Sequence, residues 1–142
     1  MGMADISITA ANFLPSVSAR FAQQKAGVAL TAGQAVYFDT ATGTVKLAKA
    51  NVAAPVNTLY GIAVENCGAN QQVLVCLSDP TLALGGTIAA GTICWLSAVT
   101  AGGINATGAD DVSGGTMTRI VIGIGVGSNA INFSPVVGGV IP

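Results

Sequence analysis

Between Asp79 and Asp110 the chain carries no charged residue. Inside that gap, Leu82 to Ile104 (LALGGTIAAGTICWLSAVTAGGI) is long and apolar enough to pass for a membrane-spanning helix. The competing reading is a pair of strands joined by a glycine turn. An internal comparison separates the two. At an offset of 58 residues, Gly27–Phe38 (GVALTAGQAVYF) lies over Gly85–Leu96 (GGTIAAGTICWL). Leu30 matches Ile88, Ala32 and Gly33 match Ala90 and Gly91, and Val36, Tyr37 and Phe38 match Cys94, Trp95 and Leu96. Further on, Gly43-Thr44-Val45 resembles Gly102-Gly103-Ile104, and Gly61-Ile62-Ala63-Val64 resembles Gly123-Ile124-Gly125-Val126. The blocks keep one order in both halves, which predicts a duplicated unit. The first copy carries Gln34, Asp39 and Lys46 where a bilayer core would reject them. The charge-free run is therefore read as a β unit with no membrane partner.

Gly at 19 residues, with many Thr, Val and Ala, favours strands and tight turns. The predicted strands are Ala35–Asp39, Thr44–Ala48, Leu59–Cys67, Gln71–Leu77, Thr92–Ser97, Thr118–Val126 and Ala130–Phe133. Asp79-Pro80, Gly102-Gly103 and Gly114-Gly115 read as turns. The expected fold is all-β: a compact sandwich or barrel-like domain built from a duplicated strand unit, with an extended N-terminal arm. Residues 1–25 form that arm, and residues 26–142 form a single β domain with repeat units at about 27–79 and 85–142. Within the arm Pro15 interrupts any helix, leaving an extended segment or one short turn. Phe13, Leu14, Val17 and Phe21 would leave the arm greasy if it hung free, so they are the candidate contacts to a neighbouring chain.

Five basic and six acidic side chains in 142 residues leave a net charge of −1. Phosphate-driven nucleic-acid binding needs a basic stripe, and this chain has none to offer. Histidine is absent, which removes His-based nucleophile pairs and His-based zinc sites. No enzyme site, cofactor or metal is expected. Asp110-Asp111 lacks the alternating oxygen ligands of a calcium loop and reads as a solvated turn. Gly123, Gly125 and Gly127 miss the dinucleotide fingerprint, because Ser128 stands where the third glycine belongs. Glycines within a strand mark a bulge or a close backbone approach instead.

Three cysteines are an odd count, and Cys67 and Cys76 fall too far apart along a hairpin to bridge. All three read as small buried hydrophobes. The opening Met1-Gly2-Met3-Ala4-Asp5 has no basic segment leading into an apolar one, so synthesis and retention in a reducing cytoplasm are expected. Tyr37 and Trp95 hold the same repeat position and are read as core or subunit-interface anchors. Displayed together, they would instead make a sugar-binding platform.

Several blocks together resemble the small capsid cement (decoration) proteins of tailed bacteriophages: DISITAANFLPSVSA, GVALTAGQAVYFD, YGIAVENCGANQQVLV, LGGTIAAGTICWLSAVTAGGI and IGIGVGSNAINFSPVVGGVIP. The turn Glu65–Asn70, with its cysteine, departs from that pattern. The resemblance implies a non-enzymatic homotrimer on the outer surface of the virion head. There it would cement neighbouring copies of the major capsid protein. A head fibre or tail-surface adhesin that binds host glycans is the alternative.

Overall fold

The computed structural model describes residues 6, 8–50, 52, 55–97, 100–105, 120–127 and 129–134. Its elements are a short 3-10 turn (Ala10–Asn12) and nine strands: β1 Arg20–Ala26, β2 Ala35–Asp39, β3 Thr44–Leu47, β4 Gly61–Ala63, β5 Gln72–Ala83, β6 Ile93–Leu96, β7 Ile104–Asn105, β8 Val121–Gly127 and β9 Ala130–Phe133. The strands pair in the order β1-β3-β2-β4-β5-β9-β8-β6-β7, and β1 also pairs with β5. The first five strands therefore close into a ring. The long β5 leaves that ring and starts a second sheet with β9, β8, β6 and β7. Only β1 against β3 is parallel; the other pairings among these strands are antiparallel.

The two halves share a backbone plan. The order β3-β2-β4-β5 in the first unit recurs as β7-β6-β8-β9 in the second. Gly33 and Gly91, matched in the sequence, take φ of 93° and 83°, and Gly43 and Gly102 take 68° and 78°. The Gly33 N–H donates to the Ala63 carbonyl as the Gly91 N–H donates to Gly125. Asn70 and Asn129 turn the β4–β5 and β8–β9 connections with φ of 68° and 59°. Both are left-handed positions, which asparagine tolerates better than most side chains. Two apolar clusters follow from this plan. Ala26, Leu30, Val36, Val45, Ala63, Val73 and Val75 fill the first ring. The second and larger cluster includes Leu84, Ile88, Cys94, Leu96, Ile104, Ile131 and Phe133.

Where the structure departs from the sequence reading, the causes are local. β1 lies almost wholly within the expected arm, yet it pairs along its length with β5, from Phe21 opposite Cys76 to Lys25 opposite Gln72. Its sequence, RFAQQKA, has one small apolar face and no β-branched residue, so it gives little strand signal. Asp79-Pro80 is not a turn. β5 runs through it, with the register of its pairing to β9 shifting between Asp79 and Leu82. An irregular stretch of that kind tolerates a residue without an N–H. The expected Leu59–Cys67 strand shrinks to Gly61–Ala63, and the two-residue β7 was not anticipated. The start of the strand expected from Thr118, the Asp110-Asp111 pair and the Gly114-Gly115 turn lie outside the described residues.

The leading segment is stitched into the second unit. Ile6 N–H donates to the Ile104 carbonyl, Thr9 N–H to Gly85, and Leu14 exchanges both backbone bonds with Ala83. In the first ring the Gly27 N–H donates to Val45, the residue matched to Ile104. Residues 6 and 8–14 thus occupy, against the second unit, a place like that of β1's end against the first. Phe13 goes down into the larger cluster at 7% exposure, and Ile8 packs at its margin.

Candidate functional site

The exposed large apolar side chains among the described residues fall into two groups, with Val52 apart from both. The first is the leading strip. Leu14 is 68% exposed, Val17 fully exposed and Phe21 42% exposed, whereas Phe13, expected to share this surface, is buried within its own chain. A specific device holds the strip in place. Asp79 is fully buried, and its carboxylate accepts the backbone N–H of Ser16 at 2.6 Å, the Ser16 hydroxyl, and the Thr81 N–H at 3.0 Å. Ser16 Oγ in turn accepts the Ser18 N–H. A buried carboxylate is costly unless its oxygens are hydrogen-bonded, and here the chain supplies donors from both sides of the connection. The bend at Ser16 therefore has a fixed position, and it sets Leu14 and Val17 outward on either side.

The second group lies on β6 and β8. Ile93 pairs with Ile124, and Trp95 pairs with Val121. Side chains opposite one another across strands share a face, and residues two apart along a strand do too. Ile93, Trp95, Ile124 and Val126 thus form one apolar stripe; Ile93, Ile124 and Val126 are 43–48% exposed and Trp95 is half-buried. No charged side chain belongs to the stripe. Tyr37, the repeat partner of Trp95, is only 7% exposed, so the two aromatics are not displayed together.

Polar chemistry elsewhere is sparse. Lys46 pairs with Asp39 at 2.8 Å across the β2–β3 hairpin. That hydrogen bond holds the Asp39 carboxyl below its ordinary range and raises the Lys46 ammonium. Cys67, Cys76 and Cys94 are all free thiols. Burial, together with the nearby Asp79 carboxylate, pushes the Cys76 thiol up to about 12, and burial pushes Cys94 up to about 11. Both stay protonated at neutral pH and are poor nucleophiles. Cys67 is only partly buried, unlike the other two. Gly123 and Gly125 sit where a Cβ would strike the carbonyls of Asn132 and Ala89, so close backbone approach accounts for both. Among the described residues no group of three or more His, Cys, Asp and Glu side chains is placed to hold a metal ion. No helix among them is long and apolar enough to cross a membrane.

Of the residues expected as contacts, Leu14, Val17 and Phe21 lie at the surface and Trp95 is half-buried, while sequence reasoning did not single out Ile93, Ile124, Val126 or the role of Asp79. Strand alternation flags Ile124 and Val126 as lying on one face without saying that the face is bare. Asp79 was hidden by the proline beside it.

No curated protein and no solved structure matches the chain. A family model described as phage cement protein matches residues 9–77. That stretch runs from the leading strip through the whole of the first ring and ends inside β5. Over residues 9–77, just under half of its length, the chain is similar to the phage cement protein family, a family of structural proteins.

Proposed function

We propose that this chain is a non-enzymatic cement protein that seats on the outer surface of the phage head, as a homotrimer, and ties neighbouring major capsid subunits together. The observation that carries this reading is the family match over residues 9–77, because that stretch contains the outward strip Leu14, Val17 and Phe21. The strip is the contact to the capsid, and Asp79 is its positioning residue. With only 8% charged residues, binding draws on apolar burial more than on ion pairs, so it depends weakly on salt.

The test uses the full chain with Leu14→Ser, Val17→Ser and Phe21→Ser combined. Deleting the segment would confuse the result, since Phe13 lies in the core and β1 belongs to the ring. The wild-type chain is expected to bind expanded heads and raise their resistance to heat, while the triple variant keeps its fold and loses both effects. Unchanged decoration by the folded triple variant overturns the role of the strip. A wild-type chain that leaves heads undecorated overturns the function.

A further inference from the structure

The few charges of this chain are unevenly placed. Residues 9–77 hold four of its five cations, Arg20, Lys25, Lys46 and Lys49, against two of its six carboxylates, Asp39 and Glu65. The fold takes up part of that excess. Lys46 is paired with Asp39, and the Glu65 carboxylate accepts the Leu74 N–H. Asp79, which anchors the leading strip, is buried and engaged by Ser16 and Thr81. Arg20 and Lys25 are both exposed, and no carboxylate among the described residues pairs with either. Both stand on β1 beside Phe21. Arg20 precedes it at the register shift against β5. Lys25 follows on the same face, since Phe21, Gln23 and Lys25 are exposed while Ala22 and Gln24 between them are half-buried. At roughly 3.3 Å per residue, Lys25 lies about 13 Å beyond Phe21.

These positions restrict what can cover the strip. A surface that buries the Phe21 ring also takes water from the adjoining Arg20 guanidinium, and a cation desolvated without a partner works against binding. A carboxylate is the acceptor that matches the planar guanidinium fork. Lys25, farther out, stays wet and acts by longer-range attraction. A phosphate backbone supplies acceptors but nothing apolar for Leu14, Val17 and Phe21, so the fit is to protein. We infer that the capsid-subunit surface met by the strip is apolar with carboxylates at its edge, one opposite Arg20 and others within reach of Lys25. This rests on the proposed seating on the head and names the chemistry of the partner there. Arg20 sets which surface is accepted, and Lys25 speeds the encounter and carries the shallow salt dependence.

Association and dissociation rates of the full chain on expanded heads test this. Arg20→Gln is expected to weaken binding about tenfold or more, mostly through faster dissociation, and Arg20→Lys restores it only in part. Lys25→Gln is expected to weaken it about two- to fivefold through slower association, a difference that vanishes in high salt. Zero-length carbodiimide coupling on decorated heads is expected to join Lys25 to an aspartate or glutamate of the capsid subunit. Both side chains are exposed in the free chain, and an unchanged near-ultraviolet dichroism spectrum checks the fold. Wild-type rates and salt dependence in both glutamine variants overturn the inference and leave head binding standing. Heads left undecorated by the wild type overturn the proposed function and this inference with it. If the wild type binds naked duplex DNA and both glutamine variants lose that binding, the cations serve phosphate and the inference fails.

Discussion

The first unit closes on itself and the second does not. β1 completes the first ring by pairing with both β3 and β5, whereas the second unit takes backbone bonds from Ile6, Thr9 and Leu14, none of them in a named strand. One duplicated plan has thus been finished in two ways. What the two units share is their interior, where each position must fill a fixed volume. What separates them is which outer face has found a cover. A repeat constrains the inside of each unit, and the outside is set by the neighbour it meets.

The largest expected effect comes from making one substitution at the matched pair Ile62 and Ile124. Ile62 is fully buried, so Ile62→Ala leaves a cavity and costs about 2–5 kcal/mol. Ile124 is 48% exposed, so Ile124→Ala in the dilute free chain stays within about 1 kcal/mol. Urea midpoints at constant slope measure both. Equal costs would mean that the outward faces are covered alike, and the comparison would break.

A smaller effect separates the leading segment from the turn it covers. Gly33 and Gly91 hold the same left-handed turn position, so alanine costs about 1 kcal/mol at either for backbone strain alone. At Gly91 a Cβ meets nothing, but at Gly33 it would lie 2.6 Å from the Ile8 methyl Cγ2. Gly33→Ala is therefore expected to cost about 1–2 kcal/mol more than Gly91→Ala, by thermal unfolding, through displacement of the leading segment. Identical losses would show that residues 6–14 add nothing to stability.

Much of this fold was legible because the repeat is carried by turn glycines and by inward apolar residues, both of which have local physical causes. Gly33 with Gly91, and Leu30 with Ile88, could be paired from the sequence alone. β1 could not be found, since Ala22, Gln24 and Ala26 are too small and too polar to mark a buried face. Phe13 looked like part of a free arm because the buried cluster it joins, Leu84 and Ile88 included, lies far along the chain. The bare stripe was invisible for a similar reason. Alternation in Ile93-Cys94-Trp95-Leu96 shows two faces, but only tertiary packing decides which one is left open.

The smallest expected effect concerns the hairpin ends, where the units differ in charge. Asp39 and Lys46 pair at the surface of the first unit, whereas the matched places in the second hold Ser97 and Asn105, both neutral and fully buried. Charges were kept on the hairpin that meets water and are absent from the one the chain covers, as the cost of burying an ion requires. The pair contributes little, since exposed ion pairs are screened. Its sign is nonetheless fixed. The Asp39 carboxyl sits below its ordinary value of 3.8, so its contribution is present above that value and lost as pH falls through the lower folded one. Lys46 is raised, so its share holds below the ordinary lysine range and fades only in strong base. Lys46→Met should therefore melt slightly below wild type near neutrality, with the gap closing in acid and shrinking in high salt. A gap that widens on acidification would show that this hairpin is stabilised by something other than its charges.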